Sequence, residues 1–430
     1  MPALANVPAA NDTRPLSERL NRECTCITLD REALCAALEQ EAGDADFCAT
    51  LISTRPHLFS TAPVFLSQTH VVSMLRAVHA IESVTRLPAY RDAVLSRSPE
   101  IARLDFGPRG AFMGYDFHLA HDRPRLIEIN TNAGGAFLNA LLARAQHACC
   151  GEMLTGLRRS EACDFDAAVA HMFESEWRLQ RKEGTPRRIA IADDRPQEQY
   201  LYPEFLLAQR FLAKHGVEAV IVDASRLRFE QSGLLLDDGR PIDLVYNRLV
   251  DFALERPEHA ELRAAYLADA VVVTPNPRVH ALFADKRNLV LLSDPAPLRS
   301  WGVPPETLAD LAAVPRTVLV APGNAQELWR ERKKLFFKPA VGYGSKAVYR
   351  GDRMTKRVWG EIQRGQYVAQ EYAAPSERVI DVDGAPTVRK TDLRLYVYDG
   401  RILLTAARLY QGQATNFRMP GSGFAPVFVI

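Results

Sequence analysis

The sequence predicts a mixed α/β chain: a helical N-terminal segment, then an α/β lobe with parallel strands, then a β-rich last lobe. Three observations carry this. Residues 30–100 hold two runs with apolar positions at helical spacing, "DREALCAALEQEA" and "SQTHVVSMLRAVHAIESVTRL". Residues 188–224 read strand, helix, strand, which is a βαβ beginning. Two stretches, 112–130 and 391–416, alternate apolar and polar residues about a turn, as hairpins do.

Taken in order, Asp30 caps the first helical run. His70 and His79 fall within the second and read as helix residues rather than ligands. In "YDFHLAHDRPRLIEINTNAGG", Tyr115, Phe117 and Leu119 alternate with Asp116 and His118, and Ile127 and Ile129 alternate with Glu128 and Asn130. A fold about Asp122 sets Asp116 opposite Glu128, with Asn130 on the same face and both isoleucines on the other. Two carboxylates across a ladder repel. A hard divalent cation removes the conflict, and Mg²⁺ suits two carboxylates and an amide oxygen. The alternative is a solvated hairpin face whose acids never meet. "AFLNALLARAQHACC" reads as helix, and the charged run at 174–188 as a boundary.

In the α/β lobe, Gly216 suits the position after a helix. A later strand ends in Tyr246, Asn247 and Arg248. Ligands bind beyond the carboxyl ends of such strands, so Arg248 is a candidate anion contact, with a surface salt bridge as the alternative. Further on, Lys286 sits in a polar break before a helix. Residues 335–337 form a strand that delivers Lys338. Next comes the loop "PAVGYGSKA", with Gly342, Gly344 and Ser345. "QYVAQEYA" is a strand ending in Gln370, Glu371 and Tyr372. The last hairpin turns at Asp399–Gly400 and carries Asp392, Arg394, Arg408 and Asn416. The expected segments are 1–110, mainly helical; 111–150, the hairpin and its helix; 186–272, the α/β lobe; and 273–430.

Composition narrows the function. A chain of 430 residues with a net charge of +1 gives no case for nucleic acid or an anionic membrane as partner. No apolar run reaches membrane-spanning length. The N-terminus shows no secretory pattern, so a cytoplasmic protein is expected. Cys24, Cys26, Cys35, Cys48, Cys149, Cys150 and Cys163 match no zinc spacing, and reduced cysteines are expected.

A lysine ahead of a glycine-containing loop suits phosphate, because backbone N–H groups can approach closely there. The order of a Walker A loop and the Rossmann fingerprint are both absent. Taken together, the two lysines, the glycine loop, the "AQEY" strand, the arginine hairpin and "LIEINTN" resemble the ATP-grasp superfamily. In the standard order the Glu-x-Asn strand follows the arginine hairpin. Here it precedes everything else, which resembles the circularly permuted ATP-grasp group that includes eukaryotic glutathione synthetase and glutathionylspermidine synthetase.

The resemblance implies ATP and Mg²⁺ as cofactors. It implies Lys286 and Lys338 on the phosphates, and Gly342, Gly344 and Ser345 in a loop closing over them. Gln370, Glu371 and Tyr372 become the adenine hinge, and Asp116, Glu128 and Asn130 the magnesium ligands. Arg394 and Arg408 would grip the phosphoryl group or the substrate carboxylate. Asn416 and the "PGSG" turn after it would hold the tetrahedral intermediate. The implied activity joins a carboxylate to an amine or thiol, on small-molecule or peptide substrates, through an acyl phosphate. A phosphotransferase or a non-catalytic nucleotide-binding protein on the same scaffold are the alternatives, and a homodimer is the default assembly.

Overall fold

A computed structural model describes residues 14–120, 123–147, 162, 164–231, 233–341 and 347–430. The strands, in chain order, begin with β1 (Val64–Leu66), β2 (Met113–Ala120), β3 (Arg123–Asn130), β4 (Arg188–Asp193), β5 (Glu218–Asp223) and β6 (Leu227–Glu230). Next come β7 (Gly233–Leu236), β8 (Pro241–Ile242), β9 (Leu244–Asn247), β10 (Val272–Thr274), β11 (Thr317–Leu319) and β12 (Leu335–Pro339). The last are β13 (Tyr349–Arg350), β14 (Tyr367–Glu371), β15 (Ser376–Val382), β16 (Ala385–Tyr398), β17 (Arg401–Tyr410) and β18 (Gly423–Val429).

The largest sheet has seven strands in the order β1-β18-β17-β16-β2-β3, with β15 also pairing β16. Its centre joins the two ends of the chain: β2 lies antiparallel to β16, and Arg394 pairs with Asp116 in that register. One face is apolar. Tyr115, Phe117, Leu126, Ile129, Leu393, Leu395 and Val397 pack against Val71, Met74, Val78 and Ile81 of the helix Gln68–Thr85. Strand alternation therefore turns Asp116, Arg394 and Asp392 toward the opposite face. The N-terminal region, expected to be mainly helical, also contributes β1, which runs parallel to β18.

A second sheet, β10-β9-β4-β5, is wholly parallel, and the helix Tyr202–Lys214 connects β4 to β5 as the βαβ pattern predicts. A third, β11-β14-β12-β13, is antiparallel. Both long hairpin turns are Asp-Gly pairs with positive φ at both residues: Asp399 at 46° with Gly400 at 74°, and Asp383 at 53° with Gly384 at 81°. Only the first is predicted above. The second, in "DVDGAP", carries the same signal.

Two expectations are corrected, one on the cysteines and one on the extent of the helix after the glycines. Cys35 and Cys48 are not reduced but form a disulfide, their Cα atoms 5.2 Å apart. The helices Arg31–Ala42 and Phe47–Thr54 double back through Gly43, at φ 65°, and that reversal brings the cysteines together. Cys149, Cys150 and Cys163 lie outside the described residues, as does the hairpin tip at Asp122.

The first part of the charged run, residues 174–181, belongs to the helix Phe165–Arg181. Within it Glu176 is fully buried and accepts hydrogen bonds from Arg109 N at 2.8 Å, Gly110 N at 2.9 Å and the Tyr398 hydroxyl at 3.0 Å. The helix predicted from residue 136 spans Ala136–Arg144 and stops before His147.

The glycines of "NAGG" are required by close approach. Gly135 has φ 97°, and a Cβ there would lie 2.4 Å from Cζ of Phe424. A Cβ on Gly134 would lie 2.5 Å from Leu201 Cδ1 and 3.0 Å from Nη2 of Arg248. The helix after them has no cap of its own. Glu204, from the facing helix, accepts from the backbone N–H groups of Gly135, Phe137 and Leu138, each at 3.1 Å. Gly135→Ala combines left-handed strain with overpacking against Phe424, an expected loss of about 3 kcal/mol. A denaturant melt of the purified variant, with its midpoint lowered at unchanged slope, is the check.

Candidate functional site

All three of these sheets open onto one cavity of about 680 Å³. The hairpin β2–β3 supplies one wall. Asp116 stands opposite Glu128 in register, as the alternation predicts. The register slips just beyond, where Phe117 pairs with Leu126, so Ile127 is left as a bulge. This corrects the expectation that Ile127 shares the core face with Ile129: it lines the cavity, while Ile129 is in the core. The bulge frees the Ile127 carbonyl, which accepts from Lys338 Nζ at 2.7 Å.

Charge in the site is balanced differently from the sequence argument. Asp116, 1% exposed, is gripped by Arg394 through Nε at 2.6 Å and Nη2 at 2.7 Å, and by Arg408 Nη2 at 2.7 Å. Burial works against its ionisation, but the two guanidinium groups outweigh it and bring the pKa down to about 2. Repulsion between Asp116 and Glu128 is thus offset by arginine, without any need for a cation. Arg394 does not pair with Asp392. Arg408 does, at 2.5 Å, and bridges the two aspartates. Burial pushes Asp392 up to about 6, against the pull of Arg408.

The metal-ligand candidates converge. Asn130 Nδ2 donates to Asp116 Oδ2 at 3.0 Å and to Glu128 Oε1 at 3.4 Å. The amide nitrogen here bridges two carboxylates, which is the place a cation would take, and rotation of the amide would present its oxygen instead. No group of three or more His, Cys, Asp or Glu side chains that could hold a metal occurs among the described residues. The donor set of the hairpin is all oxygen, which fits Mg²⁺ and not zinc. Burial opposes ionisation of Glu128, yet Lys286 and Lys338 overcome it and hold its pKa below the usual range.

Lys338, at the end of β12, is buried and also donates to Gln370 Oε1 at 2.8 Å. Burial lowers its pKa to about 8, with Glu128 pulling up and Lys286 pushing down. Lys286 lines the cavity beside them, and its backbone N–H donates to Ala340 O at 3.0 Å. An ammonium binds phosphate and a neutral amine does not. Affinity for a phosphate anion, with inorganic triphosphate as the probe and calorimetry as the measurement, is therefore expected to hold steady up to about pH 8 and to fall above it. In Lys338→Met it should be weak, without that inflection.

Gln370, Glu371 and Tyr372 line the cavity. Glu371 is exposed and pairs with Arg125 at 2.8 Å, and the guanidinium of Arg350 lies 4.4 Å above the Tyr372 ring. Asn416 lines the cavity, but its Nδ2 donates to Gln411 O and Ala414 O, each at 3.0 Å, so it shapes its own loop. The "PGSG" turn is not on the wall; Gly421 packs against Ile380 and Val382. Gly342, Gly344 and Ser345 lie outside the described residues.

Arg248 also lines the cavity; it is 7% exposed, packs over the rings of Tyr246 at 5.3 Å and Phe205 at 5.9 Å, and is in no salt bridge among those described. Its Nε is buried without a hydrogen-bond partner, as are Arg408 Nε and Asp392 Oδ1, all on cavity-lining residues. Such groups suit a polar ligand.

Sequence reasoning missed His118 as a site residue. It shares the Asp116 face, so the alternation already pointed to it. His118 Nδ1 donates to Ala373 O at 2.8 Å, and burial lowers its pKa to about 4, so the imidazole is neutral.

No family model and no curated protein matches this sequence. Solved structures do. A glutathione synthetase-like effector from Globodera pallida superimposes with a TM-score of 0.54, over 94% of this chain and 99% of that one, at 12% identity. The fold is of the ATP-grasp type. At that identity the likeness is one of fold. A putative gamma-glutamylcysteine synthetase from Methylobacillus flagellatus KT is also similar, at 10% identity and a TM-score of 0.48, over 85% of this chain and 89% of that one. No helix among the described residues is long and apolar enough to cross a membrane.

Proposed function

We propose that this ATP-grasp chain is an ATP-dependent carboxylate–amine (or thiol) ligase that works through an acyl phosphate and releases ADP and phosphate. The observation that carries the reading is the cavity. It gathers Lys286 and Lys338, the Asp116–Glu128–Asn130 group, and the Arg394–Arg408 pair onto one set of walls from distant parts of the chain. The early hairpin beside β16 is read as the permuted limb of the site.

Asp116, Glu128 and Asn130 would hold Mg²⁺, which when bound offsets phosphate charge. Lys286 and Lys338 neutralise the phosphate tail. Arg248, at the carboxyl end of β9, anchors the carboxylate of the acid substrate. A carboxylate oxygen attacks the terminal phosphorus in line and ADP leaves. The amine then displaces phosphate and gives up a proton. Arg408 and Arg394 face the charge that develops, so catalysis is positioning and electrostatics.

The test is to screen acids with Mg·ATP and hydroxylamine. ADP release that depends on the acid, with an acyl hydroxamate formed in equal amount, supports the ligase. ADP release with an alcohol acceptor, and no hydroxamate from any acid, overturns it in favour of a phosphotransferase.

A further inference from the structure

We propose that the side-chain amide of Gln370 donates a hydrogen bond to N7 of a purine nucleotide, and so selects purine over pyrimidine triphosphates. The inference rests on the nucleotide reading of the cavity above. Gln370 is 2% exposed and stands opposite Phe336 in the β12–β14 register. Alternation puts Phe336, Lys338 and Gln370 on one face, and all three line the cavity.

An ammonium group has donors only, so Lys338 can meet the amide of Gln370 only at its oxygen. That contact, at 2.8 Å, sets the rotation of the amide. The NH₂ group is then turned away from the lysine, and Nε2 is buried without a hydrogen-bond partner. A buried donor in that state favours a ligand that brings an acceptor to it.

Chemistry identifies the acceptor. Phe336, Pro339, Val348 and Ala373 line the cavity and give a flat base an apolar seat. Gln370 is joined to the lysine that neutralises phosphate, so its amide meets the base edge nearest the 5′-phosphates. In an anti nucleotide that is the imidazole edge. Purines carry the acceptor N7 there, and pyrimidines carry only C–H.

The experiment compares Mg·ATP with Mg·7-deaza-ATP, in which N7 is replaced by C–H, by calorimetry on the full chain. The wild type is expected to bind ATP about tenfold more tightly, the value of one hydrogen bond. Gln370→Met removes the donor and should bring the ratio to about one. Gln370→Glu keeps the acceptor for Lys338 without a donor and should do the same, which covers the case of one variant folding poorly. Equal affinities in the wild type overturn the inference, and so does a preference that survives both substitutions. Failure of the wild type to bind ATP at all removes the nucleotide reading beneath it.

Discussion

Glu128→Gln is expected to lower turnover by about a thousandfold and to lower the unfolding temperature as well, because the ionised carboxylate compensates Lys286 and Lys338 in the folded protein. The substitution keeps the shape of the side chain and an oxygen for the Asn130 amide, which reaches Glu128 Oε1 at 3.4 Å. It removes one negative charge. In the native protein that charge is held ionised by Lys286 and Lys338, despite burial. It is therefore present at neutral pH to offset a bound cation, and its loss acts on metal-dependent steps. Steady-state assays across a magnesium titration, beside a thermal melt, check both halves. Wild-type turnover would remove Glu128 from the site.

Arg394→Met is expected to destabilise the fold by about 3–5 kcal/mol, the usual cost of leaving a buried partner uncompensated. Arg394 gives Asp116 two of its three arginine hydrogen bonds, and the remaining guanidinium also serves Asp392. Denaturant melts of the variant and wild type measure the loss. The same triad sets an acid limit. The folded pKa of Asp116, about 2, lies below an unfolded value of about 3.9. A depressed pKa contributes stability that is fully present above the unfolded value and is lost as pH falls through the folded one. Wild-type stability should therefore drop between about pH 4 and pH 2, and the variant should lose less there. For this reason Asp116→Asn is a poor probe of metal binding, since it strands two guanidinium groups.

Much of this site is local in sequence and was legible. A period of two, repeated on both limbs of β2–β3, brings Asp116 opposite Glu128 without knowledge of anything else in the chain. An Asp-Gly pair needs only its own φ preferences to specify the turn at 399–400. The place of Arg248 on the cavity wall follows from its position just past the carboxyl end of β9, where parallel sheets expose groups. What could not be read depends on partners far along the chain. The pairing of Arg394 with Asp116 requires β16 to lie beside β2. The bulge at Ile127 is a slip of register with no glycine to mark it. The Cys35–Cys48 disulfide follows from how two helices double back, and its spacing matches no motif.

The central claim is that the early hairpin is the metal limb of an ATP site completed by the late lysines and arginines. Anomalous diffraction from crystals grown with Mn²⁺ and a non-hydrolysable ATP analogue tests it most directly. The account predicts a manganese peak among Asp116, Glu128 and Asn130, with the triphosphate against Lys286 and Lys338. A nucleotide bound elsewhere, or a metal peak away from that hairpin, would contradict it.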